Sequence, residues 1–151
     1  MTVIMNKYGY EFIECIPIKE PKLLNQPLSG SYAVVRFEGK YLLCFNTWRK
    51  QWEVPAGGRE INESAEECAK RELFEETGQV VHEMDLMGLL KVRKADGLVK
   101  CNPIYFAELD CIVPFKENDE TDKIIFWDLT EDIGYIDEVD KEVLKWCKLL
   151  N

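Results

Sequence analysis

The sequence contains a single histidine, His82, and none of its six cysteines form a Cys-x-x-Cys pair. Zinc sites are built from closely spaced cysteines and histidines, so this pattern does not indicate one. A Ser-His-Asp or Cys-His triad would need His82 as its base, and no nucleophile-elbow motif accompanies it. Scattered thiols without a motif are typical of buried cysteines in a reducing compartment, which predicts a cytoplasmic protein.

Long apolar runs and an excess of positive charge are also missing. No run approaches the roughly 20 apolar residues that a membrane-spanning helix needs, and residues 1–12 lack the pattern of a signal peptide. With 28 acidic and 19 basic residues, the formal charge is −9. This charge repels nucleic-acid backbones and anionic membranes. A phosphate ligand would therefore need a divalent cation between itself and the acidic groups.

The length of 151 residues suits one domain, and we expect a single domain over residues 1–151. After the first strand, a loop carries Pro21, Pro27 and Gly30. Glu38-Gly39-Lys40 predicts a turn between two strands, and Asp96-Gly97 predicts a two-residue hairpin. The predicted strands are residues 9–18, 31–37, 41–45, 86–93, 98–109 and 123–127. A final helix over residues 137–149 places Val139, Val143, Trp146, Cys147 and Leu150 on one face, which predicts that they join the core.

The middle of the chain has the signals of a glycine loop followed by a capped helix. Gly57 and Gly58 allow backbone conformations that are closed to other residues. Ser64 with Glu67 three residues later predicts a capping box, and Gly78 predicts the helix end. The loop and the helix are therefore expected to be adjacent along the chain.

Three carboxylates converge on one stripe of this helix. Glu75 and Glu76 lie about 60° and 40° to either side of Glu72 at 100° per residue. The same stripe carries the small residues Ala65, Cys68 and Ala69 one and two turns earlier, which lets this face approach a loop or a sheet. Crowded carboxylates repel one another, and Mg²⁺ or Mn²⁺ is their natural counter-ion. Arg71 is positioned to pair with a neighbouring carboxylate and to orient it.

The complete spacing resembles the signature of the MutT/Nudix hydrolase family. It comprises Gly57, Glu63, Arg71-Glu72, the apolar Leu73, Glu75-Glu76 and Gly78. The sequence departs from the signature at Gln79, where an aliphatic residue is expected. The resemblance implies an α/β fold, a Nudix-type α/β/α sandwich with a mixed sheet and the signature loop and helix packed against it.

The resemblance also implies metal-dependent hydrolysis of a phosphoanhydride bond in a nucleoside diphosphate linked to another group. Carried over by position, the metal ligands are Glu72, Glu75, Glu76 and the carbonyl of Ala56, with Mg²⁺ or Mn²⁺ as cofactor. Family members often add a carboxylate from the loop before the last strand. Glu117, Asp119 and Glu120 are available there, and Glu120 is our choice as ligand and catalytic residue. Glu72, Glu75 and Arg71 complete the predicted catalytic set, and the general base is either Glu120 or a signature glutamate.

The substrate is expected to be a small nucleotide-type molecule rather than a nucleic-acid polymer or a membrane, bound by a monomer or homodimer. Trp48, Arg49 and Asn102 are predicted to bind it, and Phe45, Trp52 and Tyr105 are further candidates for a base slot. The Trp-Glu-Val-Pro-Ala-Gly segment before the signature resembles that of ADP-ribose pyrophosphatases, but Ala95 stands where those enzymes carry a proline. The compact chain favours a nucleoside triphosphate or an oxidised nucleotide.

Other functions remain open at this level. One is a nucleotide-sensing domain of the same fold without catalysis, and another is a hydrolase of ADP-ribose or of nucleotide sugars. An isomerase on the same scaffold would need a reactive cysteine, for which Cys44 and Cys101 on predicted strands are the candidates.

Overall fold

A computed structural model describes residues 2–18 and 28–151. Pro21 and Pro27 of the predicted loop lie outside the described residues. The described part of the chain folds as β1 (Glu11–Pro17), β2 (Ser31–Phe37), β3 (Lys40–Asn46), β4 (Gln51–Glu53), β5 (Ala56–Gly57), α1 (Ala65–Thr77), β6 (Asp85–Arg93), β7 (Val99–Leu109), β8 (Thr121–Trp127) and α2 (Glu138–Leu150).

The strands form one mixed sheet. Its main path runs β1-β6-β7-β2-β3-β4, while β5 pairs with β2 and β8 pairs with β3. The central pair β2 and β7 is parallel, with Tyr32 opposite Ile104 and Phe37 opposite Leu109. The other paired strands that the structure describes are antiparallel. The predicted mixed sheet is therefore confirmed.

The two helices cover opposite faces of this sheet, as alternate residues of β2 show. Ala33 and Val35 belong to the apolar cluster that contains Leu73 of α1. Val34, between them, belongs to the cluster that contains Val143 of α2. Successive side chains of a strand point to opposite faces, so the sheet lies between the helices. This arrangement confirms the α/β/α sandwich.

The six predicted strands are present, with shifted ends, and β4 and β5 were not predicted because they span only three and two residues. The turn between β2 and β3 has positive φ at both Glu38 and Gly39, as a two-residue hairpin requires. The predicted two-residue hairpin at Asp96-Gly97 was wrong. The connection spans residues 94–98 and is closed by the Lys94 N–H, which donates to the Leu98 carbonyl at 2.8 Å. Gly97, at φ 90°, lets this longer turn close.

The apolar face of α2 differs from the predicted stripe at its end. Val139, Val143 and Cys147 are buried as predicted, and Leu144 is buried with them. Leu150 is 47% exposed because it is the last residue of the helix, beyond the edge of the sheet contact. Trp146 packs partly buried against the same cluster. Neither helix within residues 2–18 and 28–151 has the length and apolarity that crossing a bilayer requires.

The contribution of α2 to stability can be tested with two leucines of the same helix. Leu144 is 0% exposed and Leu149 is 85% exposed. Leu144→Ala leaves a cavity in the core and is expected to lower the free energy of unfolding by about 2–5 kcal/mol. Leu149→Ala is expected to change it by less than about 0.5 kcal/mol. Urea denaturation measures both values, and equal effects would contradict the assigned packing of α2.

Candidate functional site

The predicted loop and helix form the centre of the site. The signals that begin and end the helix are confirmed, whereas neither Gly57 nor Gly58 has a positive φ. Ser64 precedes α1 and accepts a hydrogen bond from the Glu67 N–H at 3.1 Å, while the Glu67 carboxylate accepts one from the Ser64 N–H at 2.8 Å. Gly78 ends the helix at φ 79°, and its N–H donates to the Phe74 carbonyl. The capping box and the glycine stop thus fix where the carboxylate-bearing turns of α1 begin and end.

The backbone of the loop approaches α1 most closely at Gly57. A Cβ atom placed on Gly57 would lie 2.2 Å from the carboxyl carbon of Glu72 and 2.3 and 2.5 Å from its oxygens. A Cβ on the adjacent Gly58 would meet nothing within 4 Å. A side chain at Gly57 would therefore displace the Glu72 carboxylate from its present position, whereas one at Gly58 would not.

The small residues on the stripe make this approach possible, as predicted. Ala65 and Ala69 pack into the apolar cluster under β2, and Cys68 is fully buried. The Cys68 thiol donates to the Gly57 carbonyl at 3.2 Å, and Ser31 donates through its hydroxyl to the Ala65 carbonyl at 2.7 Å. Helix, loop and sheet are thereby joined on the side that carries the carboxylates.

Arg71 connects the loop to the carboxylates of α1. Its guanidinium pairs with both oxygens of Glu63, at 2.6 and 3.0 Å, and donates to the Gly58 carbonyl at 2.8 Å. It also donates to Glu72 at 2.8 Å and to Glu75 at 3.0 Å. The hydrogen bonds from Arg71 lower the pKa of Glu63 to about 2. Arg71 thus orients neighbouring carboxylates, in agreement with the prediction for it.

Glu76 is the most deeply buried of the three carboxylates, with 4% of the residue exposed. One of its oxygens accepts a hydrogen bond from the Ala56 N–H at 3.0 Å. Burial raises the pKa of Glu76 well above the ordinary carboxyl range, and the charges of Glu120 and Glu72 raise it further. The pKa of Glu72 is raised as well, by burial, although the pairing with Arg71 opposes that change. The site therefore concentrates negative charge in a partly desolvated place.

The structure brings Glu120 from the β7–β8 loop to this cluster. Its carboxylate accepts hydrogen bonds from the Asn46 amide at 2.9 Å and from Arg49 at 3.3 Å. Its carbonyl accepts from the Thr47 N–H at 2.8 Å. Glu117, in the same loop, is exposed. Of the two glutamates in that loop, Glu120 is thus the one fixed beside α1.

Two further polar residues of the site, Asn46 and Glu53, were missed by the sequence analysis. Asn46 is 1% exposed; its side-chain oxygen accepts from the N–H groups of Trp48 and Arg49, and its amide donates to Glu53 and Glu120. Glu53 lies in β4 and pairs with Arg49 at 2.7 Å. A turn-forming asparagine before Trp48, and a glutamate two residues before a proline, are weak signals on their own.

The carboxylates are held by hydrogen bonds to the chain itself. Glu72 and Glu75 pair with Arg71, while Glu76 accepts from Ala56. In the part of the chain that the structure describes, no group of three or more His, Cys, Asp or Glu side chains is already arranged to hold a metal ion. The assignment of these glutamates and of the Ala56 carbonyl as metal ligands therefore stays a prediction.

Two adjoining cavities open beside the carboxylates, with volumes of about 450 and 320 Å³. Arg49 and Ala56 line both of them, and Asn102 lines the smaller one. Trp48 lines neither cavity and is 69% exposed. The other aromatic candidates pack inside the protein: Phe45 lies edge-on to Trp52 with ring centroids 5.2 Å apart, and Tyr105 is buried under α1.

The larger cavity is lined by polar groups that the sequence analysis did not assign to the site. They include the partly buried Tyr32 and the buried Gln51, Asp137 and Asp140. Asp137 caps α2, and Asp140 accepts from the Val54 N–H at 2.9 Å. Burial raises the pKa of both aspartates, and each lies near other carboxylates that raise it further. Among the described residues, Oε1 of Gln51 is buried without a hydrogen-bond partner. The cavity can therefore accept hydrogen bonds from a ligand.

Cys44 and Cys101, the candidates for an isomerase, are both buried in strands. Burial raises the pKa of Cys44 well above its ordinary value, and the charge of Glu76 raises it further. The thiol of Cys44 is thereby kept protonated, which is unfavourable for a nucleophile.

Comparisons with known proteins agree with this geometry. A profile of the NUDIX domain matches residues 28–147. The Bacillus subtilis (strain 168) protein named "Putative 8-oxo-dGTP diphosphatase YtkD" is 35% identical over 115 residues, which are 73% of this chain and 72% of that protein.

Solved structures show the same fold at lower identity. A mutant of the Bacillus subtilis pyrophosphohydrolase BsRppH has a TM-score of 0.74, with 99% of this chain and 94% of that chain covered at 23% identity. A MutT NUDIX hydrolase from Burkholderia pseudomallei has a TM-score of 0.67, with 80% and 98% covered at 21% identity. At these identities the likeness concerns the fold.

The contact between Gly57 and Glu72 predicts a difference between two neighbouring glycines. Gly57→Ala must displace the Glu72 carboxylate, the mobile end of a side chain, so the fold is expected to persist. The affinity for Mn²⁺ is expected to fall by about 10–100-fold. Gly58→Ala, which meets open space, is expected to bind like the wild type. Isothermal titration calorimetry measures the affinities, and equal values for both variants would contradict the predicted role of Glu72.

The buried charge of Glu76 predicts a pH-dependent effect on stability. Because folding raises the pKa of Glu76, the protonated Glu76 side chain contributes to stability at pH values below the usual carboxyl pKa. This contribution is lost as the pH rises and the buried group becomes charged. In a chelator, Glu76→Gln is therefore expected to raise the free energy of unfolding at pH 8 by at least about 1 kcal/mol. The gain is expected to vanish near pH 4. Glu75→Gln, at a side chain 49% exposed, is the matched control. A stability difference independent of pH, measured by urea denaturation, would be evidence against the buried charge.

Proposed function

The chain belongs to the Nudix family of pyrophosphohydrolases, which act on nucleoside diphosphate derivatives, and on that premise we propose that it hydrolyses nucleoside triphosphates, preferring an oxidised purine nucleotide. The observation that carries the proposal is the cluster of Glu72, Glu76 and Glu120 next to a cavity of about 450 Å³, whose wall includes Ala56, the residue that donates its N–H to Glu76. The name of YtkD, a relative 35% identical, supports the oxidised purine. We further propose that residues 1–151 form one such domain in a cytoplasmic monomer or homodimer.

The family uses a divalent metal ion, and the chemistry of the residues present fits Mg²⁺ or Mn²⁺. The donors are carboxylates and a backbone carbonyl, the hard oxygen ligands that these ions prefer. Burial, together with the charges of Glu120 and Glu72, raises the pKa of Glu76, so a cation beside these carboxylates would be favourable. Glu72, Glu75, Glu76, Glu120 and the Ala56 carbonyl are the groups proposed to hold the ion. When bound, such an ion neutralises phosphate oxygens and acidifies a water molecule.

The chain's own residues have distinct parts in the proposed reaction. Arg71 holds Glu72 and Glu75 in position through a guanidinium that is itself anchored on Glu63 and on the loop backbone. Glu120 or a signature glutamate accepts the proton of the attacking water. The raised pKa of Glu72 and Glu76 means that each gains a proton more readily than an exposed carboxylate does.

Arg49 is the cation proposed to meet the substrate phosphates. It lines both cavities and lies between Glu53 and Glu120, with which it pairs. Its side chain is 42% exposed, so it can reach a phosphate. Its ion pairs with the two carboxylates hold the guanidinium beside the site. Asn102, in the smaller cavity, is a second polar contact available to the substrate.

The larger cavity is proposed to hold the nucleobase. Tyr32 offers an aromatic wall, and the unpaired oxygen of Gln51 offers an acceptor to a ring N–H. Asp137 and Asp140 add acceptors nearby. An oxidised purine carries more ring N–H donors than an unmodified one, so a wall rich in acceptors favours it. Trp48 lies outside the lining of both cavities, and we propose no contact with the base for it.

One observation supports a second candidate, a nucleotide-sensing domain without catalysis. Arg71 pairs with Glu72 and Glu75, two of the proposed metal ligands. If this pairing persists when metal and nucleotide are supplied, the chain would bind the nucleotide without cleaving it. Product release separates the two functions.

The test is a screen of the purified chain with Mg²⁺ or Mn²⁺ against nucleoside triphosphates, oxidised purine triphosphates, ADP-ribose and nucleotide sugars. We expect the highest kcat/KM for an oxidised purine triphosphate. Glu76→Gln is expected to lower kcat by at least about 100-fold, because it removes a negative charge that would attract and neutralise the cation. Glu117→Gln, the same change at an exposed glutamate, is expected to leave kcat unchanged.

Each outcome of the screen identifies a different function. Preferred cleavage of ADP-ribose or of a nucleotide sugar would replace the proposed substrate and keep the hydrolase. Binding of a nucleotide without release of any product would favour the sensing domain. Equal activity of Glu76→Gln and the wild type would exclude the proposed site.

A further inference from the structure

The residue that departs from the family signature, Gln79, is buried and fully bonded. It is 1% exposed, directly after the glycine that ends α1. Its side-chain amide donates to the Val113 carbonyl at 2.8 Å, and its side-chain oxygen accepts from the Val113 N–H at 3.0 Å. This reciprocal pair has the form of one step of a β-ladder, with a side chain in place of the second strand. An aliphatic residue cannot make either bond.

The partner of Gln79 belongs to the loop that carries Glu120. Residues 110–120 connect β7 to β8 without a helix or strand of their own. From Val113 the loop passes the end of α1, where the Pro114 carbonyl lies 3.4 Å from a Cβ placed on Gly78. Asn118 then donates to the Glu76 carbonyl at 3.4 Å, and its side-chain oxygen accepts from the Glu120 N–H at 3.0 Å. Contacts near both ends of the β7–β8 loop therefore fix the loop to the C-terminal end of α1.

The bonds at the two ends of the loop differ in strength. The contact of Asn118 with Glu76 is long for a hydrogen bond, whereas both bonds of Gln79 have normal lengths. Val113 itself is 43% exposed, so its side chain contributes little packing to hold the loop. The backbone of Val113 thus depends on Gln79 for its position.

We propose that Gln79 is a positioning residue that fixes the β7–β8 loop against α1 and acts on the reaction through Glu120. The inference rests on the proposed function, in which Glu120 serves as a metal ligand or a base. Gln79 touches none of the carboxylates and is not a catalytic residue. Its effect is to keep the Glu120 carboxylate within reach of the cluster formed by Glu72 and Glu76.

Hydrogen exchange of the Val113 amide tests the anchoring of the loop directly. Gln79→Met keeps the length of the side chain and removes both hydrogen bonds, and Gln79→Leu introduces the aliphatic residue of the family signature. In both variants the exchange rate of the Val113 amide is expected to rise about tenfold, while amides within α1 keep their protection. Val80→Ala, at the exposed neighbouring residue, is the control and is expected to exchange like the wild type.

A double-mutant cycle with Glu120→Gln tests whether Gln79 acts through Glu120. Alone, Gln79→Met is expected to lower Mn²⁺ affinity and kcat by about tenfold, the usual size for a residue that supports a ligand. In the Glu120→Gln background it is expected to change neither value further. A residue that only stabilises the fold would lower both values equally in the two backgrounds. Gln79→Leu repeats the cycle if the methionine variant does not fold.

Any one of three results would overturn the proposal. They are unchanged exchange of Val113 in both variants, Mn²⁺ affinity and kcat that are both unchanged, and additive losses in the cycle. Failure of the proposed function would appear differently. The wild type would then cleave no nucleotide, while the Val113 exchange and the Mn²⁺ affinities would still be measurable and would test Gln79 on their own.

Discussion

The contact of the loop backbone with the carboxylates of α1 is the constraint on which the site depends. Glu72 keeps its position because Gly57 has no side chain, and Glu76 accepts a hydrogen bond from the N–H of the preceding residue, Ala56. The small residues of α1 allow this approach, and Ser31 fixes the start of the helix to the sheet. A larger residue at Gly57 would displace the Glu72 carboxylate from the loop backbone.

Charge balance is the second constraint, and two arginines meet it at opposite sides of the cluster. Arg71 pairs with the exposed side of the helix stripe, and Arg49 pairs with Glu53 and Glu120. Glu76 receives no hydrogen bond from an arginine in the described structure, and its pKa is raised by burial first and by the charges of Glu120 and Glu72 second. The unbalanced charge at Glu76 is the feature that a divalent cation would neutralise.

The sheet places the residues that pair with Arg49 beside the residues that pair with Arg71. β4 and β5 are too short to be recognised from a pattern of alternation, yet β4 carries Glu53 and β5 carries Gly57. Their pairing with β3 and β2 brings the turn that contains Arg49, the signature loop and the cavities to one side of the molecule. The fold therefore joins segments that are distant along the chain into a single surface.

The sequence by itself determined the elements that depend on local interactions. The helix limits at Ser64 and Gly78, the longer strands and the carboxylate stripe follow from capping, alternation and helical periodicity, all of which act over a few residues. Tertiary structure alone decided the rest. Asn46, Glu53, Asp137 and Gln79 gain their places from partners up to 131 residues away or from another loop. Trp48 is left outside the cavities by the turn that Asn46 forms. Such positions depend on long-range packing and desolvation, and neither leaves a local pattern in the sequence.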